Sequence, residues 1–239
     1  MKRPVGTITR GTTNPNRLRR VDAWMAWRYH QLLRHSPAPV VVDLGYGQSP
    51  ITTVELARQL SGLHEQLEVI GLEIDPTRVA LAQTAASARI SFARGGFEIP
   101  TPRDPLVIRA FNVLRQYPVG EVAAHWRTMQ QRLAPEGRIV EGTCDEPGRL
   151  AAWVELSSDQ PLTLTLAADP SRLEHVSDIA PRLPKVLIHH NIDPHPVHRF
   201  FVDADAAWAS HSALRIFGAR QRWAATVRSL RASWPVVTP

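Results

Sequence analysis

Two carboxylates and a glycine loop have types and spacing that could do chemistry together in this 239-residue chain. Asp43 ends a β-branched apolar run and is followed by Gly45-Tyr46-Gly47, and Glu73 ends a second apolar run. A buried strand that ends in a glycine turn lets a ligand lie on bare backbone, and ligands of open α/β sheets bind at the carboxyl ends of the strands. There Glu73 would accept hydrogen bonds from both hydroxyls of a ribose. Asp43 would bond an amino group directly or through water.

Two classes of nucleotide cofactor use this geometry, and Pro50 and Asp43 discriminate between them. A dinucleotide needs G-x-G-x-x-G, whose third glycine lets helix and strand pack closely beside the pyrophosphate. Pro50 occupies that third position here. A carboxylate beside a pyrophosphate would be repulsive, whereas beside the ammonium of S-adenosylmethionine (SAM) it is attractive. The sequence therefore favours SAM over NAD, and a glycine turn without a ligand stays open as an alternative.

The elements that must position these residues alternate between strand and helix patterns. Strands are predicted over 39–44, 67–73, 90–93, 106–111 and 138–143, and helices over 18–33, 51–60, 75–87, 119–133, 197–210 and 217–233. Because short loops join most of them, we expect a parallel sheet with right-handed crossovers. No crossover helix is expected between 94 and 104, which is rich in Gly and Pro. The runs 151–156 and 162–167 predict an antiparallel hairpin.

Residues 39–145 resemble the class I SAM-dependent methyltransferases. Residues 42–47 are similar to motif I of that family, with Ser49 where a third glycine is usual. Residues 69–75 resemble motif II, and 106–113 resemble motif IV. The resemblance implies a Rossmann-like α/β fold, a mostly parallel sheet with an antiparallel edge and helices on both faces, and SAM as cofactor.

The same resemblance implies a set of cofactor-binding residues: Asp43, Gly45, Tyr46, Gly47, Glu73, Ile74, Phe97 and Asn112. Phe97 is placed to stack on adenine and to offer its backbone N–H to a ring nitrogen, although it suits the core equally well. Gly96 stands where the family often has an acid opposite the adenine amino group. Glu98 is therefore predicted to take over that role one or two residues later.

Four further residues are candidates for the pocket of the methyl acceptor: Arg115, Tyr117, Glu141 and His190. Arg115 and Tyr117 follow the fourth strand on the ligand side. Glu141 interrupts the apolar fifth strand, where a carboxylate must be paired or lie near the sheet edge. It could therefore bind an N-terminal arginine or face the pocket. His190 could act as a base. The sequence does not identify a catalytic residue, because direct in-line displacement can proceed through positioning and exclusion of water without a recognisable one.

Composition excludes several other kinds of site. Cys144 is the single cysteine, so neither an internal disulfide nor a multi-cysteine zinc site is expected. The histidines of 189–198 lack a Cys or a suitably spaced Glu that would complete a metal site. No apolar run has the length of a membrane span. No apolar segment follows the basic N-terminus, so we expect a cytoplasmic protein without a secretory signal.

The ends of the chain differ in charge from its middle. The formal net charge is +6, with a net +7 in residues 1–34 and a net +5 in residues 211–239. Such ends could contact phosphates of a nucleic acid or form solvated helix faces, and we favour the second interpretation.

We predict an arm and helix at 1–36, a lid or cap over the pocket, and one SAM-binding domain at 37–239 with a variable C-terminal part from 145. The predicted function is methyl transfer from SAM to a small molecule, without a membrane partner. An RNA methyltransferase that uses the basic termini and a catalytically inactive SAM-binding regulatory module stay open as alternatives. A nucleotide-dependent oxidoreductase ranks below them.

Overall fold

The strands form one sheet in the order β3-β2-β1-β4-β5-β6-β7 in the computed structural model, which describes residues 3–237. Their bounds are β1 Val40–Leu44, β2 Glu68–Glu73, β3 Ile90–Arg94, β4 Val107–Phe111, β5 Arg138–Cys144, β6 Leu150–Leu156 and β7 Pro161–Ala168. Strands β1 to β5 pair in parallel, whereas β6 is antiparallel to both β5 and β7. The predicted Rossmann-like sheet, mostly parallel with an antiparallel hairpin at one edge, is confirmed.

Helices cover both faces of this sheet. Their bounds are α1 Arg19–Arg28, α2 His30–His35, α3 Ile51–Leu60, α4 Pro76–Ala82, α5 Val119–Gln130, α6 Lys185–Ile188, α7 Pro196–Ser210 and α8 Ala219–Leu230. Met25 of α1 and Leu56 of α3 belong to a buried cluster with Val41 and Val107 on one face. Val122 and Met129 of α5 are buried in a second cluster with Val42 and Ile108, the alternate residues of the same strands. The alternation of side chains along each strand thus divides the core into two layers.

The single helix predicted over 18–33 is instead two helices that meet at Tyr29, whose φ of −107° and ψ of 10° lie outside the helical range. The Tyr29 hydroxyl donates to the buried Glu155 of β6 at 3.0 Å. This contact holds the residue at which the two helices meet against the sheet. The sequence pattern gave no indication of it, because apolar spacing continues through the junction.

The start of α4 agrees with its sequence. Asp75 caps this helix by accepting a hydrogen bond from the Thr77 N–H at 2.8 Å, and Pro76 follows at the first helical position. Such a cap satisfies one of the N–H groups that a helix leaves without an intrahelical partner. The helix therefore begins immediately after β2 and stays close to its carboxyl end.

The sheet reverses its order beside β1. From β1 the chain adds β2 and β3 on one side and then returns to place β4 on the other side. As predicted, the connection from β3 to β4 carries no helix. The carboxyl ends of β1 and β4 therefore flank the topological switch point, where open α/β sheets bind their ligands.

The C-terminal part packs on the hairpin edge through a cluster of its own. Phe201 and Trp208 of α7 are buried there against Ala152 of β6 and Leu183. No helix within residues 3–237 combines the length and apolarity that a membrane span requires. Lys2 of the basic N-terminus and the final two residues of the predicted domain lie outside the described residues.

Candidate cofactor-binding site

A crevice lies at the carboxyl ends of β1 and β2, beside the switch point. Its lining comes from these strands, from the loops that follow β3 and β4, and from the N-terminal arm, residues 5–13. The lining residues are Thr7, Thr9, Leu44, Gly45, Glu73, Ile74, Gly95, Gly96, Phe97, Val113 and Tyr117. The structure thus brings together Gly45, Glu73, Ile74 and Phe97 of the predicted cofactor set. Tyr117, predicted for the acceptor pocket, lines the same crevice.

The glycine loop after β1 depends on its glycines. Gly45 and Gly47 have φ values of +70° and +84°, which L side chains rarely adopt. A Cβ on Gly45 would lie 2.6 Å from Cγ2 of Val113, and a Cβ on Gly47 would lie 2.8 Å from the carbonyl oxygen of Gly11. The loop therefore presents bare backbone to whatever occupies the crevice.

Glu73 supplies the buried charge of the crevice. Its Oε2 accepts a hydrogen bond from the Gly47 N–H at 3.0 Å, and its Oε1 accepts one from the Ile74 N–H at 2.9 Å. The Arg78 guanidinium lies 3.5 Å from the same carboxylate. These contacts hold the carboxylate at the tip of β2 and against the glycine loop.

At the end of the crevice formed by the loop after β3, a backbone donor and a carboxylate acceptor lie side by side. The Phe97 N–H donates to the Val5 carbonyl at 3.0 Å, and Glu98 accepts from the Val5 N–H at 2.7 Å. The Phe97 ring is buried and stacks on His125 at a centroid distance of 4.0 Å. Burial lowers the pKa of His125, and Glu121 partly offsets this. Phe97 therefore belongs to the core and borders the crevice at the same time.

Asp43 has partners other than the predicted cofactor ammonium. Its carboxylate accepts from Nε of Arg109 at 3.0 Å and from the Thr53 hydroxyl at 2.7 Å. Arg109 is fully buried in β4 and also pairs with Asp22 of α1. A buried guanidinium needs such anions, so Asp43 faces α3 and stabilises Arg109 in this structure.

This cluster of Asp22, Arg109 and Asp43 joins α1 to the sheet. Burial alone would lower the pKa of Arg109, but Asp22 and Asp43 outweigh burial and raise it. Burial raises the pKa of Asp22 more than the attraction of Arg109 lowers it, so the resulting pKa is about 6. One guanidinium thus serves two buried carboxylates.

Tyr46 and Asn112, both predicted to bind the cofactor, contact neighbouring residues next to the crevice. The Tyr46 ring packs edge-on against Phe92 at 5.4 Å, and burial raises the pKa of its hydroxyl. Asn112 has a φ of +59° and accepts from the Cys144 N–H at 3.0 Å through its side-chain oxygen. Asn112 therefore links the ends of β4 and β5 rather than lying in the crevice lining.

The remaining acceptor-pocket candidates lie apart from the lining. Arg115 donates to the Pro181 carbonyl at 2.8 Å, and burial, with nearby Arg182, lowers its pKa. His190 is exposed and stacks on His195 at 4.6 Å. Neither residue is among those that line the crevice.

Glu141 departs from the expectation that its carboxylate is paired or near the sheet edge. It is fully buried in the central strand β5, and neither oxygen has a hydrogen-bond partner within the described part of the chain. Burial raises the pKa of Glu141 to about 8, and the neighbouring Trp126 indole offsets this only in part. Among the described residues no N-terminal arginine pairs with Glu141, since Arg28 of α1 pairs with Glu155 instead, and the raised pKa favours the neutral form of Glu141 near pH 7.

Arg109 and the position of the N-terminal arm were not predicted from the sequence. Arg109 interrupts the apolar run of β4 as Glu141 interrupts β5, so the rule that a buried charge needs a partner could have linked it to Asp22 and Asp43. The N-terminal arm has no comparable signal, because its contacts are made mostly by backbone atoms. No group of three or more His, Cys, Asp or Glu suited to a metal ion occurs between residues 3 and 237.

No protein-family model matches this chain, and neither does any curated protein sequence. Among solved structures, it is similar to magnesium protoporphyrin IX methyltransferase (ChlM) from Synechocystis PCC 6803 with bound S-adenosylhomocysteine (SAH). That match has 18% identity and a TM-score of 0.41, and covers 54% of this chain and 55% of the other. A putative protein-L-isoaspartate O-methyltransferase from Plasmodium falciparum, also with SAH, matches at 15% identity and a TM-score of 0.42, covering 71% and 78%.

A protein described as a pericyclic reaction enzyme matches at 17% identity and a TM-score of 0.42, over 51% of this chain. The chain spans about a third of the length of that protein, 31%. All of these identities lie below 25% and all TM-scores below 0.5. We therefore base the functional proposal on the geometry of the crevice itself.

Proposed function

We propose that the crevice binds SAM and that the protein transfers its methyl group to a small molecule. The observation that carries this proposal is the arrangement of Glu73, the Phe97 N–H and the Glu98 carboxylate along one crevice at the switch point. Adenine offers an amino donor next to ring-nitrogen acceptors, and Glu98 and the Phe97 N–H form the complementary pair. Both groups now bind the backbone of one residue, Val5, so they lie close enough together to serve a single flat ligand.

The opposite end suits the amino acid part of SAM. The Tyr46 carbonyl accepts a hydrogen bond there from the Thr13 hydroxyl at 2.8 Å, and the Gln48 N–H donates to the Gly11 carbonyl at 3.1 Å. A carbonyl and an N–H of the glycine loop are the groups that an ammonium and a carboxylate need. Glu73 lies between the two ends and would accept hydrogen bonds from the ribose hydroxyls.

SAM supplies a methyl group on a positively charged sulfur, and the nucleophile of the acceptor attacks it in line as the thioether leaves. The residues of this chain would bind and orient the cofactor and exclude water, which can supply much of the rate enhancement. Of the four residues predicted for the pocket of the methyl acceptor, Tyr117 is the one that lines the crevice. We assign it to positioning and assign no general base.

We favour a small molecule over RNA because arginines of the basic ends bind groups of the chain itself. Arg17 donates to the Thr12 carbonyl, Arg19 to the Pro147 carbonyl and Arg222 to the Trp208 carbonyl. Arg28 pairs with the buried Glu155. Arginines engaged in this way are less available to phosphates, and binding to RNA would be detected as an affinity that falls steeply with salt.

A second candidate is a SAM-binding module without turnover. The arm fills most of the crevice, and only about 20 Å³ remains open. A module of this kind would bind SAH yet methylate no acceptor in a pool of small molecules or RNA. Methylation of any acceptor by the purified protein would exclude this candidate.

Calorimetric titration of the full chain with SAH, SAM and NAD tests the cofactor proposal. We expect SAM and SAH to bind and NAD not to bind. Glu73→Ala should weaken SAH binding at least about tenfold, because each tenfold step equals about 1.4 kcal/mol and a charged hydrogen bond contributes at least that much. Glu68→Ala is the matched control, since Glu68 lies at the other end of β2 in an exposed pair with Arg103.

Equal losses in Glu73→Ala and Glu68→Ala would argue against a ribose at Glu73. Absence of SAH binding in the folded wild type and also in the arm-released variant described below would contradict the proposal itself.

A further inference from the structure

The N-terminal arm, residues 5–13, runs along the crevice, and Thr7 and Thr9 line it. It runs from Glu98, which binds the Val5 N–H, to the glycine loop, whose Tyr46 carbonyl binds the Thr13 hydroxyl. These contacts join residues 33 to 93 positions apart in the sequence. The arm thus reaches both ends of the site proposed for SAM.

At the adenine end, the backbone N–H and carbonyl of Val5 bind both of the groups that adenine would use. Its N–H donates to Glu98 and its carbonyl accepts from the Phe97 N–H. Gly6 follows with a φ of +127°, and a Cβ there would lie 2.8 Å from the Tyr117 hydroxyl and 2.9 Å from Cδ1 of Ile74. A peptide without a side chain therefore fills the slot between Ile74 and Tyr117.

The middle of the arm is bound by side chains of the crevice wall. The Tyr117 hydroxyl accepts from the Thr7 N–H at 2.7 Å and lies 3.2 Å from the Thr7 carbonyl. Arg78 donates to the Thr9 carbonyl at 2.9 Å while its guanidinium faces Glu73. The acid proposed to bind ribose therefore shares its arginine with the arm.

At the glycine loop, Gly11 takes the place proposed for the amino acid part of SAM. Its carbonyl accepts from the Gln48 N–H at 3.1 Å. A Cβ on Gly11 would lie 2.9 Å from Cα of Gly47, so backbone packs directly on backbone. The arm leaves a cavity of about 20 Å³. That volume holds about one water molecule, which needs roughly 10–15 Å³.

We infer that the arm is an intramolecular stand-in for the cofactor, so that it autoinhibits the protein until SAM displaces it. This inference rests on the proposed function of the crevice. A lid would close over a bound cofactor, whereas this arm uses the same donors and acceptors and leaves a cavity of only about 20 Å³, too small for a cofactor. Displacement is feasible because Val5 and Ile8 are 41% and 57% exposed, so the arm buries little apolar surface.

Competition of this kind has a measurable size. The apparent dissociation constant equals the intrinsic one divided by the fraction of molecules whose site is open. An arm that is docked in about 90% of molecules would weaken the apparent affinity for SAH about tenfold. Releasing the arm should restore that factor without any change in the crevice.

The test compares SAH titrations of the full-length wild type with a Gly6→Ala/Gly11→Ala double variant, whose new methyl groups cannot fit in the docked arm. Val5→Pro is a second variant, which removes the N–H that Glu98 binds. Gly120→Ala in α5 is the matched control, because a Cβ there meets nothing within 4 Å. Thermal unfolding confirms that each variant is folded.

Tryptic cleavage after Arg10, with and without SAH, gives an independent readout of the arm. We expect both arm variants to bind SAH about tenfold more tightly than the wild type and the control, and SAH to accelerate cleavage of the wild-type arm.

Equal affinities in wild type and arm variants would overturn the inference and leave the proposed function intact. Slower cleavage with SAH would identify a lid and also overturn it. If no variant binds SAH, the proposed function fails and this inference fails with it.

Discussion

Arg109 and Glu141 are buried charged residues on neighbouring strands, and they face opposite sides of the same sheet. Arg109 of β4 faces α1 and α3, where Asp22, Asp43 and the Thr52 carbonyl bind it. Glu141 of β5 faces α5 and has no hydrogen-bond partner among the residues described. An ionisable group can be buried in two ways: the anions around Arg109 raise its pKa and favour its charged form, whereas burial raises the pKa of Glu141 to about 8 and favours its neutral form near pH 7.

The difference also bears on the crevice. Asp22 belongs to α1, which begins shortly after the arm ends, so the Arg109 cluster holds the root of the arm on the sheet. Glu141 has no such connection to the arm. Variants of the two residues should therefore differ in size of effect, in pH dependence and in their effect on the arm.

Replacing Arg109 should have the largest effect on stability. Arg109→Leu leaves Asp22 and Asp43 buried without their cation, and breaking a buried pair typically costs about 3–5 kcal/mol. We expect a loss near the upper end, about 5 kcal/mol, because two carboxylates lose one partner. Urea unfolding measures it. Arg103→Leu, which removes an exposed pair with Glu68 at 2.8 Å, is the control and should cost at most about 1 kcal/mol.

Glu141→Gln should change the pH dependence of stability. The pKa of Glu141 is raised from 4.5 to about 8 in the folded state, so the folded protein keeps a proton that the unfolded chain has released. The free energy of unfolding of the wild type should therefore fall by about 1.4 kcal/mol per pH unit between these values. The glutamine variant should lack this slope between about pH 6 and 8, above the range in which Asp22 titrates, and the exposed Glu121→Gln should retain it. Parallel pH profiles for wild type and Glu141→Gln would show that Glu141 ionises freely.

Asp22→Asn should also remove a decline of the free energy of unfolding with rising pH, but a smaller one than Glu141→Gln removes. The pKa of Asp22 is raised from 3.8 to about 6, so its contribution to stability is largest below pH 3.8 and declines as the pH rises towards 6. The difference between wild type and variant should amount to roughly 2–3 kcal/mol across this window. Chemical unfolding at several pH values measures it. A difference that is the same at every pH would mean that Arg109 holds Asp22 ionised throughout.

Several elements could be predicted from the sequence because their signals are local. The run of β-branched residues in β1 predicted a strand buried on both faces, and the structure has it buried throughout. Asp75 before Pro76 predicted the start of α4, and the turn at 157–161 predicted the hairpin of β6 and β7. These features depend on neighbouring residues or on regular spacing, so a single sequence contains them.

The parts that could not be predicted depend on contacts between distant residues. The partners of Asp43 come from α3 and β4, and the sequence alone could not choose between them and a ligand. The position of the arm is set by hydrogen bonds of its own backbone, which leave no pattern of side chains. The sequence predicted an arm before the first helix but not the place of that arm in the crevice.

The crevice beside Glu73 is proposed to bind SAM in place of the arm. Amide NMR of the 26.7 kDa protein during titration with SAH tests it most directly. We predict that the amide signals of Phe97, Gly47 and Gln48 shift together as those of Gly6 and Gly11 move to the positions of a free chain. Saturation with SAH that leaves the signals of the crevice and the arm unchanged would contradict the account.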